Sequence, residues 1–164
     1  MKGRSLKPLI RPCCREDRPA VEEILRRIPQ FQPFEVDVAM EVCDGYLADP
    51  QRSGYRAFVA EVASRVVGYI CYGPTPLTDG TWDIYWIAVA PDAQGRGVGR
   101  DLIALAEGRI TEARGRLILV ETSSRPDYED AHRFYRSRGY EMVCRIPDFY
   151  AVGDDKLVFQ KHLR

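Results

Sequence analysis

Between Gln94 and Arg100 the chain reads Gln-Gly-Arg-Gly-Val-Gly-Arg, with glycine at every second position and arginine at 96 and 100. An apolar stretch, Trp86 to Val89, leads in. Pro91 intervenes, and Val98, Leu102 and Leu105 then recur at helical spacing. A strand, a glycine turn and a helix in that order leave unpaired backbone N–H groups at the positive end of a helix dipole, which is a site for phosphate. The glycines let main chain approach a ligand where a Cβ would intrude, and Arg96 and Arg100 add positive charge. The dinucleotide fingerprint requires Gly-x-Gly-x-x-Gly and an acid about 20 residues on. Here the spacing is Gly-x-Gly-x-Gly, and no strand-borne acid follows at that place. The Walker loop requires Gly-Lys-Ser or Gly-Lys-Thr, and neither occurs. A third pattern, Gln/Arg-x-x-Gly-x-Gly/Ala, is met by Gln94, Gly97 and Gly99. The plain alternative is a helix with a glycine-rich start and no ligand.

The third pattern resembles the pyrophosphate-binding loop of the GNAT superfamily of N-acetyltransferases. A second segment, Ala131-His132-Arg133-Phe134-Tyr135 followed by Gly139-Tyr140, resembles that superfamily's A-x-x-F/L-Y…G-F/Y motif. Both lie in the C-terminal half; the N-terminal half matches in layout alone. The resemblance implies acetyl-coenzyme A as cosubstrate. It assigns the diphosphate to Gln94, Gly95, Arg96, Gly97, Val98, Gly99 and Arg100. It assigns the pantetheine amides to the main chain of Ile87, Ala88 and Val89. Tyr135 matches the tyrosine that resembles a general acid for the departing thiolate; the alternative is a core aromatic beside Phe134. Three residues before Ala131 the family often carries an asparagine that touches the cofactor. This chain has Tyr128 there, so Tyr128 becomes the candidate contact.

Acetyl transfer to an amine needs the cofactor held, the amine neutral and the leaving thiolate stabilised. Holding both reactants makes the attack effectively unimolecular. An amine resembling that of lysine has a pKa near ~10.4 and is cationic in water, so a carboxylate base, often through water, must take its proton. Asp83, on the strand that leads to the loop, and Glu121, at the end of the next strand, lie where the resemblance places such a base. A carboxylate ending an apolar strand can be partly desolvated, which raises its pKa. Each could equally be a strand-end acid in water or half of an ion pair. The expected acceptor is a small-molecule amine. Asp148-Phe149-Tyr150 looks similar to a tyrosine-bearing loop of ribosomal-protein N-terminal acetyltransferases, and the position of Glu121 to their base. A peptide or protein N-terminus is therefore the alternative acceptor. A coenzyme A-binding module without catalysis is a further reading.

The elements that must position these groups are legible along the chain. Leu6–Arg11 reads as a strand. Glu16–Ile28 reads as a helix with Val21, Ile24, Leu25 and Ile28 on one stripe, ended by Pro29. Val36, Met40, Cys43 and Leu47 mark a second helix. A hairpin over Tyr55–Val62 and Val66–Tyr72 turns at Ala63-Ser64-Arg65. Trp82–Val89 is a strand, and the helix after the glycine turn runs to about Ala113. Leu117–Glu121 is a strand, with Leu117, Leu119 and Glu121 facing one way. A helix over Tyr128–Arg138 stops at Gly139. Strands over Tyr140–Ile146 and Lys156–His162 flank a loop from Pro147 to Asp155. The order β-α-α-β-β-β-α-β-α-β-β predicts an α+β or α/β fold with a mixed sheet. It is also the order the GNAT fold implies.

Composition bounds the rest. The chain of 164 residues is the size of one domain, 1–164, with a sizeable core. It is 45% hydrophobic and 29% charged, and its formal net charge of zero provides no field for nucleic acid or anionic membrane. Arg133, Arg136 and Arg138 read as a solvated helix face. No apolar run approaches the ~18 residues of a membrane span, and the N-terminal residues MKGRSLKPLI lack the apolar core of a signal peptide. Five cysteines, an odd number without metal spacing, fit reduced thiols in a cytoplasmic protein. His132 is expected to point to solvent and His162 to lie at a tail, so neither pairs with a cysteine nucleophile. A homodimer is an open expectation.

Overall fold

The computed structural model describes residues 7–164. Seven strands and four α-helices follow the expected order. They are β1 (Leu9–Pro12), α1 (Arg18–Arg27), α2 (Pro33–Ala48), β2 (Arg56–Val62), β3 (Arg65–Pro74) and β4 (Thr81–Val89), then α3 (Val98–Glu112), β5 (Leu117–Ser123), α4 (Glu129–Ser137), β6 (Glu141–Ala151) and β7 (Asp154–His162). The strands form one sheet in the order β1-β2-β3-β4-β5-β7-β6. It is mixed: β1/β2, β2/β3, β5/β7 and β6/β7 run antiparallel, while β4 and β5 run parallel over Thr81–Ile84 and Leu117–Val120. Leu6, placed in the first strand by the sequence, lies outside the described residues.

The chain folds as two compact units. One comprises the described residues up to Gly73 together with Trp86–Gly108; the other comprises Pro74–Tyr85 and Arg109–Arg164. In the first unit, Val21, Ile24, Leu25 and Ile28 are buried as their spacing predicts. On α2, Val36, Met40 and Cys43 are buried, and Tyr46 takes the inward place expected of Leu47. The β2–β3 hairpin turns on Ala63 and Ser64, both with positive φ (49° and 61°), which suits the right-handed twist of a tight hairpin. Gly68 on β3 lets α3 come close: a Cβ there would stand 2.9 Å from side-chain atoms of both Val98 and Leu102. That contact fixes the height of α3, and so of its N-terminal turn, above β3.

In the second unit, α4 covers one side of the strands through Tyr135, which packs against Phe159 and Tyr140 at ring-centroid distances of 5.8 and 6.0 Å. Ile84, Ile118, Val120, Leu157 and Phe159 are buried on that side. The helix ends at Gly139 (φ 86°), as expected of a left-handed terminator. All eleven residues of β6 are exposed. The five cysteines carry free thiols; Cys13, Cys43 and Cys71 are buried, and Cys14 and Cys144 exposed. Among the described residues no helix is long and apolar enough to cross a membrane.

Candidate active site

The glycine turn lies wholly in the first unit. Pro91–Ala93 forms a single 3-10 turn after β4, pinned by burial of Ala93. The Asp92 carboxylate accepts from Arg65 at 2.6 and 3.1 Å and from Arg27 at 3.3 Å, which holds it down at a pKa of about 2. Gln94 folds back, its Nε2 donating to the Val89 carbonyl at 3.1 Å. Gly95 and Gly97 both take left-handed backbone, φ 73° and 85°, where a side chain is strained. The Gly97 carbonyl accepts from the Asp101 N–H at 3.0 Å, the first closed turn of α3. The N–H groups of Val98, Gly99 and Arg100 therefore precede any intrahelical acceptor. The Arg100 guanidinium lies over Gly97, where a Cβ would meet it at 2.8 Å. Gln94, Gly95, Arg96 and Arg100 are exposed, and Val98 is buried. The backbone, charge and access at this turn fit a diphosphate. On β4, Ala88 is buried while Ile87 and Val89 are half-buried.

The candidate proton-handling groups all lie in the second unit. Asp83 pairs in register with Leu119 on β5, which puts it on the same side of the strands as Glu121, away from α4. Asp83 is half-buried and its carboxylate accepts the Thr75 hydroxyl at 2.5 Å. Of the states the sequence left open for Glu121, the structure shows the ion pair. Its side chain is 51% exposed, and Lys156 Nζ lies 2.7 Å from its Oε1. Glu121 faces Val158 on β7, on the side of the strands opposite Tyr135. Lys156 is only 14% exposed and lies 4.5 Å from the centre of the Phe149 ring. Phe149 meets Tyr150 edge-on at 5.0 Å. Tyr85, Cys144, Ile146, Phe149 and Tyr150 are exposed; Cys144 faces Val158 and Ile146 faces Lys156 across the β6/β7 register.

Tyr135 is 7% exposed, and burial pushes its phenol above the ordinary tyrosine value. It therefore stays protonated and able to donate. Tyr128 is half-exposed at the start of α4, under the Arg125 guanidinium at 5.1 Å.

His132 corrects the sequence reading. It is 3% exposed rather than turned to solvent. Its ring stacks on Phe159 at 5.7 Å, Nε2 lies 2.9 Å from the Ser123 carbonyl oxygen, and Nδ1 lies 3.4 Å from Glu129. A carbonyl only accepts, so Nε2 carries the hydrogen. The charged neighbours Asp130 and Arg133 suggested an outward face, but His132 lies one turn before the buried Tyr135, on its stripe.

The sequence also gave no sign of a polar knot behind β6 and β7. Asp155 accepts the Asp148 N–H at 2.9 Å and Arg145 Nε at 2.5 Å, while its own N–H donates to Ser124 Oγ at 2.8 Å. Arg145, Asp148, Ser124 and Asp155 are dispersed in sequence and match no motif.

The model of the acetyltransferase (GNAT) domain family matches residues 53–142. A crystal structure of a GNAT-family protein from Desulfovibrio desulfuricans is 36% identical, with a TM-score of 0.91 over 94% of this chain and 98% of that one. The ribosomal-protein-alanine N-acetyltransferase of Brucella melitensis is 26% identical, with a TM-score of 0.77 over 94% of this chain and 99% of that one. An uncharacterised protein of Mycobacterium leprae is 34% identical over 66% of this chain, and the match spans 30% of that relative's length.

Proposed function

The chain belongs to the GNAT acetyltransferase family, whose cosubstrate is acetyl-coenzyme A, and from that premise we propose that it acetylates a primary amine carried at the end of a polypeptide. The observation that carries the choice of acceptor is the surface around Glu121. That carboxylate is 51% exposed and pairs with Lys156, which lies over the exposed Phe149 ring beside Tyr150 and faces the exposed Ile146 across the β6/β7 register. Such a surface can seat an extended chain, whereas a small amine is normally enclosed by a concave pocket. The likeness to a ribosomal-protein-alanine N-acetyltransferase supports the same choice. A small-molecule amine is the competing acceptor.

When bound, acetyl-coenzyme A supplies an acyl group activated as a thioester. The turn from Gln94 to Arg100 would hold its diphosphate with N–H groups and arginine charge, and the main chain of Ile87–Val89 would pair with its pantetheine amides. Glu121 takes the proton of the attacking amine, with Asp83 as the other carboxylate on that side. Tyr135, on the other side of the strands, would supply a phenolic hydrogen to the leaving thiolate. Tyr128 contacts the cofactor from the start of α4. The test is release of free thiol from acetyl-coenzyme A with a panel of N-terminal peptides and small amines. Peptide turnover at lower KM supports the reading; turnover confined to small amines rejects it.

A further inference from the structure

Residues 147–153, between the straight part of β6 and the start of β7, carry Phe149 and Tyr150 and hold an unusual backbone. Asp148 has φ 53° and Gly153 has φ 81°, and the pairing of β6 with β7 jumps from Ile146–Lys156 to Ala151–Asp154. Aspartate takes left-handed backbone where its carboxylate bonds locally and its surroundings hold it. Two carboxylates do so here. Asp148 Oδ1 accepts the Gly153 N–H at 2.7 Å, closing the segment on itself. Asp155 accepts the Asp148 N–H at 2.9 Å and Arg145 Nε at 2.5 Å, from either side of Pro147. The Asp148 N–H and the Arg145 guanidinium together hold the Asp155 carboxyl below the ordinary carboxylate range, so it is charged at neutral pH.

Asp155 is itself fixed from behind. Its N–H donates to Ser124 Oγ at 2.8 Å and its carbonyl accepts the Ser124 N–H at 2.9 Å. Asp154 beside it accepts from Ser123 Oγ. The next residue is Lys156, which reaches both Glu121 and the Phe149 ring. One buried carboxylate thus connects the end of β5, the segment bearing the exposed aromatics, and the lysine paired with the proposed base.

We infer that Asp155 is a positioning residue for acceptor recognition: it clamps residues 147–153 so that Phe149 and Tyr150 stand as a wall beside Lys156 and Glu121. The inference rests on the reading that the acceptor meets this surface. Asp155 touches neither cofactor nor acceptor, so its loss acts through the wall.

The test combines acceptor kinetics with amide hydrogen exchange on the full chain. D155N retains one acceptor oxygen and loses the charged partner of Arg145. It is expected to raise acceptor KM about tenfold, with kcat at saturating acceptor and coenzyme A affinity within about twofold of the parent. Exchange at the Asp148 and Gly153 amides should quicken by a similar factor. S124A removes the acceptor of the Asp155 N–H and should move both readouts the same way by less. Unchanged KM and exchange in D155N overturn the inference. So does a joint fall in kcat, coenzyme A affinity and acceptor affinity, which would signal a damaged fold. If the parent turns over small amines alone, the polypeptide reading fails by itself. KM is then read on the amine used, and the exchange measurement still decides the clamp.

Discussion

Lys156 Nζ stands 2.7 Å from Glu121 Oε1, on adjacent antiparallel strands, and the same ammonium lies over the Phe149 ring. A proposed base is therefore held by a nearly buried cation that also touches an exposed aromatic. Glu121 faces Val158 in the β5/β7 register and Lys156 faces Ser123 two residues further along β5, so the pair is a diagonal contact on one side of the strands.

If Glu121 is the base, E121Q should lower kcat by about a hundredfold, the ordinary worth of general-base catalysis, while D83N costs less than about tenfold. Steady-state kinetics on the best amine checks both. A larger effect from D83N would transfer the role to Asp83.

Y135F should cut kcat at least about tenfold and leave coenzyme A affinity unchanged. The raised phenol also predicts a stability signature. In the unfolded chain tyrosine ionises near ~10; in the folded chain it ionises higher. The stabilising contribution is complete below about pH 10 and is lost as pH rises from there through the folded value. Urea midpoints should fall more steeply above about pH 10 in the parent than in Y135F.

The two left-handed glycines of the turn should respond differently to alanine. Each substitution strains φ by about 1–2 kcal/mol. At Gly95 no atom lies within 4 Å of the added Cβ. At Gly97 the Cβ displaces the Arg100 guanidinium. Calorimetry should therefore show G97A weakening coenzyme A binding more than G95A.

H132F keeps an aromatic ring against Phe159 but removes the donor to the Ser123 carbonyl. It should lower stability by about 1–3 kcal/mol in urea unfolding, the cost of a buried group left without its partner.

Local pattern carried much of the fold in the sequence. Val21, Ile24 and Leu25 declared α1, and alternation declared β5, because a single buried face imposes its period on the chain. Gly139 and the Ala63–Ser64 turn were legible because their backbone chemistry is local. The misses were tertiary. Pro147 to Asp155 reads as a loop, yet β6 runs on to Ala151 and pairs with Asp154, and Asp155, seven residues beyond Asp148, accepts the Asp148 N–H. His132 looked outward because its chain neighbours are charged, and only the Ser123 carbonyl across the loop draws it in. The loop at Gln94–Arg100 was legible because its conformation needs glycine itself. The pairing of Glu121 with Lys156 was not, since 35 residues separate them and no local rule joins them.

The N–H groups at the start of α3 are proposed to grip a diphosphate. The deciding measurement is titration calorimetry of coenzyme A against pantetheine, which lacks the diphosphate and its nucleotide. Coenzyme A is expected to bind saturably and pantetheine at least about a hundredfold more weakly, a loss of about 2.7 kcal/mol. No heat with coenzyme A, or equal affinity for the two, would contradict the proposal.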